Sequence, residues 1–267
     1  MDKYKEVERS IIKKFRKEIY RPFVKALDKY NLINEGDKIM VCISGGKDSF
    51  LLAKLIEEIK VHGNKNFEYK CVCMNPGYNK EVVNKIKENA KILNIDLKFF
   101  KTDIFSVASS LDDKPCYMCA RMRRGHLYNE AKKLGCNKIA LGHHFDDVIE
   151  TDLINLFFAS QIRTMLPLVS SKNFEGVKLI RPMYMIREKD IVAWKNYNNL
   201  DFIGCACPLS NSKNVGKRDE IKEFVKDLEK NFPTSALSIF KAYEKVNLDD
   251  IVSYVDNGII KSNIDEN

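Results

Sequence analysis

The feature that most constrains this chain is an alternation of short apolar runs with helical stretches between residues 38 and 181. Apolar runs at 38–43, 67–74, 96–101, 138–141 and 177–181 read as strands. Between them, Leu51, Leu52, Leu55, Ile56 and Ile59 mark one helix face, and Val82, Val83, Ile86, Ala90 and Leu93 a second. A basic helix over 117–134 and a face of Ile149, Leu153, Leu156 and Phe157 complete the series. Strands that are apolar throughout and joined by helices belong to a parallel sheet buried on both faces. Right-handed crossovers then predict an α/β fold with an open, doubly wound sheet.

The flanks read differently. Residues 2–31 have Ile11, Ile12, Phe15, Ile19, Phe23 and Leu27 at helical spacing, with Pro22 expected to kink or divide the segment. Its polar face carries Lys13, Lys14, Arg16, Lys17 and Arg21, either a solvated face or a contact to a nucleic-acid backbone. Beyond residue 187 come a helix at 187–198, a cysteine loop at 204–216, and helices at 217–231 and 234–246. The expected organisation is an N-terminal helical segment (1–35), an α/β domain (36–203), and a cysteine loop with C-terminal helices packed on the same core (204–267).

Composition narrows the class. With 45% hydrophobic residues, the 267-residue chain has ample material for a core. No run of about 18 apolar residues offers a membrane helix. The first fifteen residues are charged and lack an apolar leader, which argues against secretion and for the cytoplasm. The net charge of +8 permits a phosphate-rich partner. In that setting eight cysteines point to metal or redox chemistry rather than a disulfide framework. Cys42, Cys71 and Cys73 lie inside strand runs, where cysteine is usually a small core residue, and Cys136 lies in a turn-to-strand segment. Cys116, Cys119, Cys205 and Cys207 remain as candidates for chemistry.

The strongest local motif is Ser44-Gly45-Gly46-Lys47-Asp48-Ser49, directly after the first strand and at the start of the first helix of the series. Such a loop aims backbone N–H groups and the positive helix end at an anion. Gly45 and Gly46 allow close approach, while Lys47, Ser44 and Ser49 add donors. The GxxxxGK[ST] pattern is absent, so this is not a Walker A loop. Asp48 beside polyphosphate makes sense with a cation, which suggests Mg²⁺.

Cys116 and Cys119 form a CxxC at the start of the basic helix, and Cys205 or Cys207 could supply further ligands. Four ligands suggest structural zinc and three leave a cluster iron open; spacing alone does not choose between zinc and iron–sulfur. Gly142-His143-His144-Phe145-Asp146-Asp147 follows the fourth strand, at the strand end where open α/β sheets bind ligands. Asp146 and Asp147 suit either a helix cap or a role in metal–pyrophosphate binding or proton transfer. His143 is favoured over His144 as a phosphate contact. Arg123, four residues after Cys119, could reach a reacting centre, and Arg121 and Arg124 add charge beside it. Met74 and the backbone of Cys42 and Ile43 lie at strand ends and are expected beside adenine.

Ser-Gly-Gly-Lys-Asp-Ser resembles the PP-loop of ATP pyrophosphatases, which cleave ATP between the α and β phosphates and adenylate a substrate. Pro115-Cys-Tyr-Met-Cys-Ala-Arg-Met-Arg-Arg-Gly, Ile139-Ala-Leu-Gly-His-His-Phe-Asp-Asp, Leu179-Ile-Arg-Pro, Arg187-Glu-Lys-Asp-Ile and Cys205 follow the order found in tRNA-cytidine 2-sulfurtransferases, over about residues 20–210. That resemblance implies ATP, Mg²⁺ and a [4Fe–4S] cluster on Cys116, Cys119 and Cys205. It also implies a tRNA substrate, a sulfur donor (a cysteine desulfurase or sulfide) and, since bacterial members are often dimers, a homodimer. The implied nucleotide site is Cys42, Ser44, Gly45, Gly46, Lys47, Asp48, Ser49, Met74, Gly142, His143 and Arg181, with Asp48, Arg123, Asp146, Asp147 and Cys207 serving catalysis. Cys205-Ala-Cys207-Pro departs from the family's common CxxC-like downstream segment, which leaves Cys207 between ligand, sulfur carrier and neither. The competing readings are desulfuration of a thiolated RNA or base, another PP-loop reaction such as lysidine synthesis, and a non-catalytic zinc-containing RNA-binding module.

Overall fold

The computed structural model describes residues 2–109, 115–171, 173–204 and 216–264, without the side chains of 108, 109 and 115–117. Strands β1 (Lys38–Cys42), β2 (Glu68–Asn75), β3 (Leu97–Lys101), β4 (Lys138–Ala140), β5 (Leu168–Ser170) and β6 (Lys178–Ile180) form one sheet in the order β3-β2-β1-β4-β6-β5. All neighbours are parallel except β5 and β6. The expected doubly wound α/β sheet is present. The antiparallel edge strand β5 was not foreseen, because three residues, two half-buried and one exposed, leave no periodic signal.

Alternation along the inner strands builds the two cores. Ile39 and Val41 of β1, with Cys71 and Cys73 of β2, enter one cluster; Met40 and Val72 enter another on the opposite face. The first cluster also takes Phe50, Leu51 and Leu55 from α3 (Lys47–His62), Ile86 and Ala90 from α4 (Lys80–Ile92), and Ile191 and Trp194 from α8 (Glu188–Tyr197). The second takes Tyr128 and Ala131 from α6 (Pro115–Lys133). Each fully buried aliphatic side chain contributes about 1.5–3 kcal/mol, so the β1–β4 centre is the stable part of the sheet.

The N-terminal segment folds as α1 (Lys3–Ile12), a π-helical stretch over Arg16–Tyr20, and α2 (Arg21–Lys29). Pro22 sits at the start of α2, where its missing N–H costs nothing, so the irregularity precedes it. Val7, Ile11, Phe15, Ile19, Phe23 and Leu27 join the first core cluster. The chain divides into two compact units, one of Met1–Asp147 with Leu166–Asn214 and one of Val148–Met165 with Val215–Asn267. The N-terminal helices fall in the sheet's unit, their apolar face being part of its core, and 148–165 group with the C-terminal residues.

Between these elements lie a short helix α5 (Ile104–Ser109) and helix α7 (Phe145–Ala159), which crosses the unit boundary. The second unit carries α9 (Lys217–Asn231), α10 (Ser235–Glu244) and a hairpin of β7 (Ser253–Asp256) and β8 (Ile259–Ser262). The hairpin corrects the expectation that helices complete the chain. Asn257-Gly258 turns it with φ of 50° and 85°, the positive values a two-residue type I′ turn requires.

Candidate active site

The phosphate motif occupies the C-terminal end of β1 and the first turn of α3, with Gly46 at the helix N-cap. Gly45 has φ +96°, and a Cβ there would lie 2.9 Å from Ile86 Cγ1 and 3.2 Å from Ile203 Cδ1, so both backbone and space demand glycine. Ser49 does not offer the free donor expected of it. Its buried hydroxyl accepts from Ser44 N at 3.2 Å and from Ser44 Oγ at 3.3 Å, and donates to the Gly46 carbonyl at 2.9 Å. Ser49 therefore braces the loop from within. Gly142 also acts through packing: a Cβ would come within 3.2 Å of the Asp48 carbonyl carbon and the Ser49 nitrogen, so glycine lets the end of β4 close on α3.

Lys47 Nζ lies 3.0 Å from Glu188 Oε1 and 3.2 Å from both carboxylate oxygens of Asp48, hydrogen-bonding Oδ2. Burial alone would lower the Lys47 ammonium, but Asp48 and Glu188 outweigh it and raise it. Asp48 Oδ1 is buried and accepts no hydrogen bond. Burial pushes the Asp48 carboxyl up, against His144 and Lys47. An orphaned carboxylate oxygen next to an anion-binding loop fits a hard divalent cation.

Glu188 has no role in the sequence reading, although it lies in the Arg187-Glu-Lys-Asp-Ile motif. Asp146 sets it in place, accepting from Glu188 N at 2.6 Å and from Arg187 Nε at 3.1 Å, with Arg187 Nη2 3.0 Å away. Asp146 thereby caps α8 from another element. Asp147 accepts from His144 N at 3.0 Å, and Asp147 N approaches His144 Nδ1 at 3.4 Å, a reciprocal cap on α7. A Nδ1 that accepts leaves the proton on Nε2, which faces Asp48 Oδ1 at 3.9 Å. The structure thus brings buried His144 to Asp48, whereas the sequence reading preferred His143, which is half-buried. Capping geometry carried the signal: in His-Phe-Asp-Asp the first residue is the N-cap and the last is N3.

Across the sheet, Cys119 is buried in a small cluster with Ile104 and Phe105, against which Met74, Tyr78 and Met122 pack. Met74 is near the C-terminal end of β2, beside β1, so the cysteine helix and the phosphate loop serve adjacent strand ends. Arg123 stacks its guanidinium 5.4 Å from the Phe105 ring centroid, and its Nε is buried without an acceptor. Arg181 directly follows β6, and its Nη1 donates to the Leu166 carbonyl. Cys42 ends β1; burial, with Cys71, Cys73 and Cys136 nearby, pushes its thiol far up. The Cys116 side chain, Cys205 and Cys207 lie outside the described residues. Ile203 N, two residues before Cys205 in the sequence, donates to the Gly45 carbonyl at 3.3 Å. Among the described residues no three His, Cys, Asp or Glu side chains are grouped to hold a metal, and no helix is long and apolar enough to cross a membrane.

Comparison with known proteins agrees with this geometry. A model of the PP-loop domain matches residues 12–228. A tRNA-cytidine(32) 2-sulfurtransferase of Aeromonas salmonicida is 35% identical over 241 residues, covering 87% of this chain and 77% of the relative. One from Neisseria meningitidis is 35% identical over 227 residues, covering 83% and 69%. Among solved structures, a U34-tRNA thiolase of Methanococcus maripaludis with its [4Fe–4S] cluster has the same fold, with a TM-score of 0.68, 23% identity and coverage of 86% and 78%. A phosphate loop braced from within at the end of β1, a capped His-Phe-Asp-Asp turn beside it and relatives aligned over most of its length lead to one assignment: the chain belongs to the PP-loop family that includes the tRNA-cytidine(32) 2-sulfurtransferases.

Proposed function

We propose that this protein thiolates tRNA, using ATP to activate the 2-oxygen of a cytidine, position 32 by analogy with its relatives, and replacing it with sulfur. The observation that carries this reading is the adjacency of two sites on neighbouring strand ends. The phosphate loop follows β1, and Cys119 packs with Met74 at the end of β2.

The phosphate loop would hold the triphosphate through its N–H groups and the α3 N-terminus. Lys47 would leave Glu188 to follow the charge, and Asp48, with its orphaned Oδ1, would hold Mg²⁺. The cytidine 2-oxygen attacks the α-phosphate and pyrophosphate leaves; a sulfur nucleophile then adds at C2, and AMP departs with the original oxygen. Cys116, Cys119 and Cys205 would hold a [4Fe–4S] cluster, a donor set consistent with a buried free thiol at Cys119. When bound, a cluster on three thiolates supplies one iron without a protein ligand, able to carry the incoming sulfur. Arg123 and the α3 N-terminus would stabilise the developing charge. The sulfur donor would be a cysteine desulfurase or sulfide, Cys207 is a candidate carrier, a tRNA substrate fits a cytoplasmic protein, and a homodimer is the proposed assembly.

The test combines anaerobic iron and acid-labile sulfide analysis with mass spectrometry of nucleosides from treated tRNA. About four irons and four sulfides per chain with ATP-dependent 2-thiocytidine are expected, and Cys119→Ala should lose both. One zinc, no sulfide and no thiolated nucleoside would overturn the reading in favour of a cluster-free PP-loop enzyme or a binding module.

A further inference from the structure

The half-buried and buried cations of the sheet's unit differ in their partners. Lys47, Lys54, Lys138 and Arg187 each face a carboxylate within 3.2 Å. Arg181 has no such partner among the described residues. Its N–H donates to the Pro167 carbonyl at 2.9 Å, its Nη1 is taken by the Leu166 carbonyl, and its Nε is buried without an acceptor. Arg124, exposed on α6, lies one helical turn before Tyr128, which shares a core cluster with Leu179, two residues before Arg181, and stacks 4.9 Å from Phe174. Burial, with Arg124 adding to it, pulls the Arg181 guanidinium down to about 10, and the carboxylate felt there, Asp147, is committed to the cap of α7. A desolvated guanidinium beside a second arginine is stabilised by a bound anion.

We propose that Arg124 and Arg181 form a phosphate-binding pair distinct from the phosphate loop, occupied by a phosphodiester of the RNA strand beside the target base. The inference rests on the RNA reading of the site. Arg181 leaves β6, two strands from β1, so the pair is offset from the phosphate loop by about 10 Å of sheet. That separation suits two different phosphates. The loop has its own donors for the nucleotide, and Arg124 is exposed to a large strand. Guanidinium groups hold such phosphates through paired N–H donors.

The test is binding of tRNA by the anaerobic holoenzyme between 50 and 200 mM salt, with pyrophosphate and a non-hydrolysable ATP analogue titrated in parallel. Arg181→Gln and Arg124→Gln should each weaken tRNA binding about tenfold and lower the slope of log Kd against log salt by about 0.7–0.9. Arg181→Lys should keep the slope and lose part of the affinity, and Arg124→Gln should bind the ATP analogue as before. Arg124 is exposed, so its variant tests the pair even where Arg181→Gln fails to fold. Wild-type protein that binds no tRNA removes the RNA reading itself. Wild-type binding with both variants equal to it in affinity and slope overturns the pair alone. Loss of pyrophosphate binding with tRNA binding intact also overturns the assignment, giving the phosphate to the nucleotide.

Discussion

The two ends of the parallel sheet use buried charge in opposite ways. At the N-terminal ends of β1 and β4, Lys138 Nζ meets Asp37 Oδ2 at 2.5 Å and the Leu32 carbonyl at 2.8 Å. Asn34 N and Asn137 Nδ2 complete the Asp37 carboxylate at 2.6 and 2.8 Å. At or near the C-terminal ends, Asp48 Oδ1, Thr102 Oγ1, Arg123 Nε and Arg181 Nε are buried without a hydrogen-bond partner. A closed network thus stands at one end and unbonded polar atoms at the other. Buried polar groups lose free energy unless something pairs them.

The comparison breaks first at Lys138. Lys138→Met would leave Asp37 buried without its cation and should cost about 3–5 kcal/mol in urea unfolding, with activity per folded molecule unchanged. An equal loss of activity in the folded fraction would blur the division. Lys47→Ala should do the reverse: tRNA-dependent pyrophosphate release falls by about 100-fold or more, while the unfolding midpoint barely moves. Unimpaired turnover would remove Lys47 from the phosphate site.

Asp152, in the second unit, sharpens the contrast with Asp37. It is fully buried, and burial, against Thr164 and the Met165 backbone, pushes its carboxyl up to about 6. The folded chain therefore favours the neutral acid. Its contribution is fully present below the unfolded value near 3.9, is lost as pH rises, and is gone above about 6. Asp152→Asn should accordingly stabilise the protein at pH 7 by on the order of 2–3 kcal/mol, with the gain fading towards pH 4 in denaturation curves. A gain independent of pH would assign the effect to packing. The smallest effect concerns Cys71 and Cys73, whose thiols burial pushes up to about 12. Both should resist a maleimide at pH 8 in folded protein and react in urea, as read by mass spectrometry.

Periodicity and chemistry were legible in the chain. The strand runs could form only a buried parallel sheet, and the motifs fell at strand ends because backbone connectivity puts them there. The helix registers were close throughout; residues 217–231 matched α9 (Lys217–Asn231). The hairpin at β7 and β8 was signalled by Asn257-Gly258, yet weak flanking alternation hid it. Within the site, Lys47 and Asp48 were legible because their positions follow from the loop itself.

Sequence alone determined the sheet and the phosphate loop, since period, glycine placement and spacing are local properties. Only the tertiary structure decided that Glu188 holds Lys47, that Asp146 caps α8, and that His144 turns towards Asp48. Those pairings join residues up to 141 positions apart, and one-dimensional order carries no distance across that gap. The cap that orients His144 is local, but the carboxylate it faces is supplied by another strand's loop. Packing chose which of several plausible polar partners met, because an unpaired buried group costs free energy.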